Sequence, residues 1–191
     1  MSSPSLQARA LWAAPVLLAV GWILTACGSS SPSAASFRRD GNRICAEYGR
    51  KVDAVEATPG HTARTLGKTI ALLEQMNGRF QRLTPPSREK QRFQQFLDAQ
   101  QQSLRVMRRL QRFTAVNEPK AILALKREKP RLHVPPAQAL EQPTAATLAE
   151  ANSIPAVRSY LRGLDALEQA GAKTGRKLDR LTKQLRFTAC H

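Results

Sequence analysis

Four long stretches of this 191-residue chain repeat apolar residues every three or four positions, and the first three stop at or near proline or glycine. A chain patterned this way has few options besides a set of packed amphipathic helices. Over residues 42–57, Ile44, Tyr48, Val52 and Val55 share a stripe, and Thr58-Pro59-Gly60-His61 ends it. Over 62–83, Leu66, Ile70, Leu73 and Phe80 align, with Lys68, Arg79 and Arg82 opposite. Thr84-Pro85-Pro86-Ser87 comes next, and Ser87 can cap a third helix over 88–115. That helix buries Phe93, Phe96, Leu97, Leu104, Met107 and Leu110.

Residues 117–153 are less regular. EPKAILALK predicts a separate short helix, and Pro130, Pro135, Pro136 and Pro143 break up the chain beyond it into short pieces and loops. Ser153 then caps a long helix to residue 187, with Pro155 in its first turn. Val157, Tyr160, Leu164, Leu167, Leu178, Leu181 and Leu185 form its apolar stripe, Arg176, Arg180 and Lys183 face away, and Gly163, Gly171 and Gly175 permit a bend.

Much Ala, Leu, Gln and Arg favours helix. Aromatic residues are only 5% of the chain, so the core is expected to rest on Leu, Ile, Val, Met and a few Phe rather than on dense aromatic packing. The expectation is an all-α protein, an up-down-up-down four-helix bundle with an irregular Pro-rich insertion before the last helix.

The first 26 residues read as a signal peptide outside that bundle. A polar leader carrying only Arg9 precedes the apolar run LWAAPVLLAVGWI. That run has the length of a secretory apolar segment and falls short of the roughly 20 residues of a spanning helix. Leu24-Thr25-Ala26-Cys27 then resembles the lipobox of bacterial lipoprotein precursors: an aliphatic residue, a small residue, Ala or Gly, and Cys. The resemblance implies that the Cys27 thiol takes a diacylglyceryl group and becomes the anchored N-terminus, on the extracytoplasmic side of the cell membrane. The glycine and serines after it, with 27–36 as a whole, read as a flexible tether to a bundle domain over 37–191.

With Cys27 committed to lipid, Cys45 and Cys190 remain, an even pair in a compartment where disulfides persist. Neither belongs to a CxxC motif. A bridge between them is expected, and it agrees with the bundle, since the last helix of an even-numbered antiparallel set ends beside the start of the first. The arrangement is similar to small helical lipoproteins of actinobacteria, which carry one Cys in the first mature helix and another at the extreme C-terminus.

No catalytic residues, cofactor or metal are expected. His61, His133 and His191 are scattered without ligand-type partners four residues away, and GxSxG, HExxH, P-loop and GxGxxG motifs are absent. The remaining signal is charge. Of 30 Lys and Arg only Arg9 precedes Cys27, and all 14 acidic residues lie beyond it, so the chain from Cys27 onward carries +15. Arg105, Arg108, Arg109 and Arg112 fall within about 100° of one another on the third helix, as an anion-binding candidate. Export argues against nucleic acid as the partner, and anionic phospholipid or cell-wall polymer takes its place. The expected function is thus a non-enzymatic binding or scaffold module at the envelope. The alternative is a carrier or sensor that holds a small apolar or amphipathic ligand between its helices, with the Pro-rich segment as a lid.

Overall fold

Five of the six phenylalanines, Phe37, Phe80, Phe93, Phe96 and Phe187, meet in one buried cluster, although they lie up to 150 positions apart in sequence. The computed structural model describes residues 33–57, 60–128, 135–141 and 152–190. The signal peptide, Cys27, most of the tether, His133 and most of the Pro-rich insertion lie outside the described residues. Those described are all-α, with no strand among them. The helices are α1 (Ala34–Asp53), α2 (Thr62–Gln81), α3 (Lys90–Glu128), the short α4 (Pro136–Glu141) and α5 (Pro155–Leu185).

α1, α2, α3 and α5 run up-down-up-down. The start of α1, the end of α2, the start of α3 and the end of α5 share the phenylalanine cluster. Most of its ring pairs pack edge-on or tilted, with centroids 5.1 Å apart for Phe37–Phe93 and 5.0 Å for Phe80–Phe96, and Phe93 stacks with Phe96. Edge-to-face contacts of this kind add about 0.5–1.5 kcal/mol each beyond area burial. The expectation of a core without dense aromatic packing is therefore overturned at this end. The few aromatics of the chain are concentrated rather than spread.

Phe187 reaches the cluster because α5 ends in a tight reversal. Arg186 adopts the left-handed conformation (φ 59°), the Arg186 N–H donates to the Lys183 carbonyl, and the Phe187 N–H donates to that of Thr182. This paired closure satisfies helix-end carbonyls and turns the next side chain inward. Cys190 comes three residues later, and its Cα lies 4.9 Å from that of Cys45 in the disulfide that joins the chain's end to α1.

At 39 residues α3 is about 58 Å long, and α5 at 31 residues about 46 Å, whereas α1 and α2 have 20 residues each. The first two helices therefore cover only part of the α3–α5 pair. Its other end has a second core of Ala121, Leu125, Leu140, Ile154, Val157 and Tyr160, with Phe113 stacked on Tyr160 at 5.8 Å.

Several expected boundaries move. α1 begins at Ala34, inside the expected tether, because Ser33 caps it by accepting from the Ser36 N–H (3.0 Å) and Phe37 is drawn into the core. α5 is capped at Ile154 without a side-chain bond, not at Ser153. Gly163 faces the Phe113 ring, which occupies the space a Cβ would need, so its role there is close packing.

The largest difference is that EPKAILALK is no separate helix. It continues α3 through Pro119. Proline removes one N–H from the helix ladder, but Ala115, whose carbonyl loses that donor, is exposed to water. Asn117 donates to the Phe113 carbonyl (2.9 Å), and Ala121 and Leu125 bury in the second core. Glu118, 3% exposed, accepts from the Thr62 hydroxyl at the start of α2, whose cap position, His61, makes no side-chain capping bond. A carboxylate is well placed at a helix N-terminus. Tertiary packing holds the helix through the proline.

Candidate functional site

Small side chains in the middle of α5 open the seam between that helix and α3. The stretch AGAKTGRK, residues 170–177, puts Ala170 and Thr174 on the groove lining and Gly171 beside Val106 of α3, where larger residues would narrow the seam. The result is a solvent-open groove of about 780 Å³. Val106, Ala170, Thr174 and Leu181 line it with Gln95, Gln102 and Gln184, and its cations are Arg109, Lys173, Lys177 and Arg180.

Helical geometry explains the grouping. On α3, Gln95, Gln102, Val106 and Arg109 fall within about 60° of one another, and on α5 the lining residues fall within about 120°. From Gln95 to Arg109 the groove runs along about 21 Å of helix. Phe93 and Leu104, which pack inward, lie on the opposite side of α3.

No carboxylate among the described residues lines the groove. Asp165, Glu168 and Asp179 project from the far side of α5, and Asp179 is engaged by Lys183 (2.9 Å). Asp98, on a neighbouring flank of α3, accepts from Gln94 (3.0 Å). None of Arg109, Lys173, Lys177 or Arg180 makes an ion pair among the described residues. Four unneutralised cations beside a partly apolar floor attract anions, and the groove walls reduce screening relative to a flat surface.

The four arginines expected as one anion site are divided by the fold. All four are exposed on α3. Arg108 turns to α2, where its Nε and Nη2 donate to Glu74. Arg109 enters the groove. Arg105 and Arg112 remain at the surface without an ion pair among the described residues. Apolar periodicity does not single out Lys173 or Lys177, and it gives Arg180 only as an outward residue. The signal that could have found them is Lys173, Lys177 and Arg180 at four- and three-residue spacing, on a stripe shared with the small residues Ala170 and Thr174 and free of acidic residues.

Among the described residues no three His, Cys, Asp or Glu side chains converge to hold a metal ion, and no helix is long and apolar enough to cross a membrane. Among the described residues, one carboxylate is shifted in pKa by its neighbours. Glu47 is held below its ordinary value by the hydrogen bond from Lys51 (2.8 Å), helped by the charges of Lys51, Arg79 and Arg50 and opposed by partial desolvation. It lies on α1, outside the groove. In comparisons with known protein families, curated proteins and solved structures, nothing matches this chain.

Proposed function

We propose that this protein is a lipid-anchored extracytoplasmic binding module, without catalytic activity, that takes anionic polymers of the cell envelope along the α3–α5 groove. The observation that carries this reading is a set of four cations, Arg109, Lys173, Lys177 and Arg180, that make no ion pair among the described residues, in a groove that no described carboxylate lines. Support for the anchor comes from the lipobox-like Leu24-Thr25-Ala26-Cys27 behind a short apolar run. Support for a polyanionic partner comes from the +15 charge from Cys27 onward.

A groove about 21 Å long suits a strand of repeated anionic groups better than a flat bilayer, because a concave site can contact a chain from two sides. Phosphate- or carboxylate-bearing wall polymer is therefore the favoured partner, and anionic phospholipid is the competing outcome. The test is binding of the full chain to long-chain polyphosphate in mild detergent and, separately and without detergent, its partition to phosphatidylglycerol against neutral phosphatidylcholine vesicles, which the acyl anchor enters alike, each over a salt series. The proposal expects polyphosphate to bind at low salt and dissociate as salt rises, and to abolish any preference for the phosphatidylglycerol vesicles. A phosphatidylglycerol preference that polyphosphate cannot remove would transfer the role to lipid headgroups, and the absence of both polyphosphate binding and that preference would refute the anionic reading.

A further inference from the structure

The α3–α5 groove holds uncharged polar groups as well as cations. Gln95, Gln102 and Gln184 line it, all three are exposed, and none of their carboxamides makes a hydrogen bond among the described residues. Lysine and arginine only donate, whereas a carboxamide both donates and accepts. The groove therefore has partners for hydroxyl groups beside its partners for anions.

Helix register sets the order of these groups. α3 and α5 are antiparallel, with Gly171 against Val106 and Gly163 against Phe113. Four residues back along α3 from Val106 and four forward along α5 from Gly171, Gln102 stands level with Gly175, between Lys173 and Lys177. The same count puts Gln95 level with Thr182, between Arg180 and Gln184. Along α5, Lys173, Lys177 and Arg180 are separated by rises of about 6 Å and about 4.5 Å. Carboxamides thus stand among the cations along the groove, over a floor to which Val106 and Ala170 give carbon surface.

The geometry points to a phosphodiester-linked chain of small polyols as the occupant, with phosphates on the cations, linker hydroxyls on the carboxamides and linker carbons on the apolar floor. This assignment rests on the anionic reading of the groove and narrows it. An interval of about 6 Å leaves room for a few carbon atoms between neighbouring charged groups. In polyphosphate, by contrast, adjacent phosphates share an oxygen, and the chain brings no hydroxyl to the carboxamides.

A matched pair of probes isolates the hydroxyl. Poly(glycerol phosphate) and poly(trimethylene phosphate) of equal length carry the same charges at the same spacing, and only the first bears a hydroxyl on each linker. Each is titrated into the full chain in mild detergent at low salt, followed by calorimetry and by the side-chain amide resonances of Gln95, Gln102 and Gln184. The glycerol polymer is expected to bind about tenfold tighter, the worth of one or two hydrogen bonds, and to shift those resonances more than its partner does. Changing the three glutamines together to Ala, which suits an exposed helix position, should bring the two affinities level. The comparison on the parent chain needs no variant. Equal affinities there, or a preference that survives in the triple variant, would overturn the polyol assignment and leave the anionic groove standing. Tighter binding of polygalacturonate, whose charges sit on sugar rings, would overturn it in favour of a sugar-acid chain. Binding of none of these polymers, polyphosphate included, would remove the anionic reading and this assignment with it.

Discussion

Phe187 occupies the space that a methyl group on Gly41 would need. The glycine lies in the interior of α1, buried, and the ring comes from the segment just beyond α5, so one missing side chain lets the first helix and the segment after the last one approach closely. In a free helix Gly41→Ala would be favourable by about 1 kcal/mol. In the folded chain the added carbon forces the Phe187 ring out of a fully packed cluster, at a cost of about 1–3 kcal/mol. Gly41→Ala should therefore lower the urea midpoint without changing the slope, whereas Gly78→Ala on α2, where a Cβ meets nothing within 4 Å, should raise it.

The Cys45–Cys190 bridge spans 145 residues of sequence. Closing so long a loop restricts the unfolded chain strongly, and native bridges of this kind typically contribute about 2–4 kcal/mol. Cys190→Ser should lower thermal stability by an amount that dithiothreitol reproduces in the parent and does not deepen in the variant. Thiol labelling under native, non-reducing conditions should leave Cys45 and Cys190 unmodified. Equal melting with and without reductant would contradict the bridge.

Glu47 offers a test of local electrostatics. Its pKa is depressed in the folded chain by the Lys51 hydrogen bond, so the carboxylate favours folding above its unfolded pKa, and this contribution is lost as pH falls through the lower folded value. Because the group is about a third exposed and solvent screens it, the effect on stability is small and is best read at the site. Carbon-detected NMR titration should give Glu47 a midpoint below that of an ordinary glutamate, and Lys51→Met should raise it. A midpoint unchanged in Lys51→Met would remove the hydrogen bond as the main cause.

The anchor is tested at Cys27. If Cys27 carries the lipid, incorporation of labelled fatty acid by the full chain in a lipoprotein-processing host should vanish in Cys27→Ala, with release of the protein from the membrane fraction. Continued labelling of that variant would disprove the assignment.

Periodicity alone locates α2 to within two residues at its C-terminal end, because its apolar stripe is regular and prolines and glycine bracket it. The same rule fails at Pro119. There the local cost of proline is legible, but the contacts that override it, Glu118 with Thr62 and Leu125 in the second core, join distant parts of the chain. The phenylalanine cluster is hidden for a similar reason, since Phe37 and Phe187 lie at opposite ends of the sequence. Charge clustering on one helix is legible too, yet it cannot show that Glu74, 34 residues before Arg108, neutralises that arginine. Nor can a single-helix projection show that Arg109 shares a groove with Lys173, Lys177 and Arg180 on another helix.

The central claim is that the groove, rather than net charge, recognises polyanions. Two variants with the same change in charge decide it: Arg109, Lys173, Lys177 and Arg180 all changed to Gln, against exposed Arg50, Lys68, Arg82 and Arg162 all changed to Gln. At about 1 kcal/mol for each well-placed cation, the groove variant should lose polyphosphate affinity on the order of several hundredfold at low salt. The scattered variant should lose about tenfold or less, with both chains retaining their helical signal. Equal losses from the two variants would contradict the account and reduce the binding to overall charge.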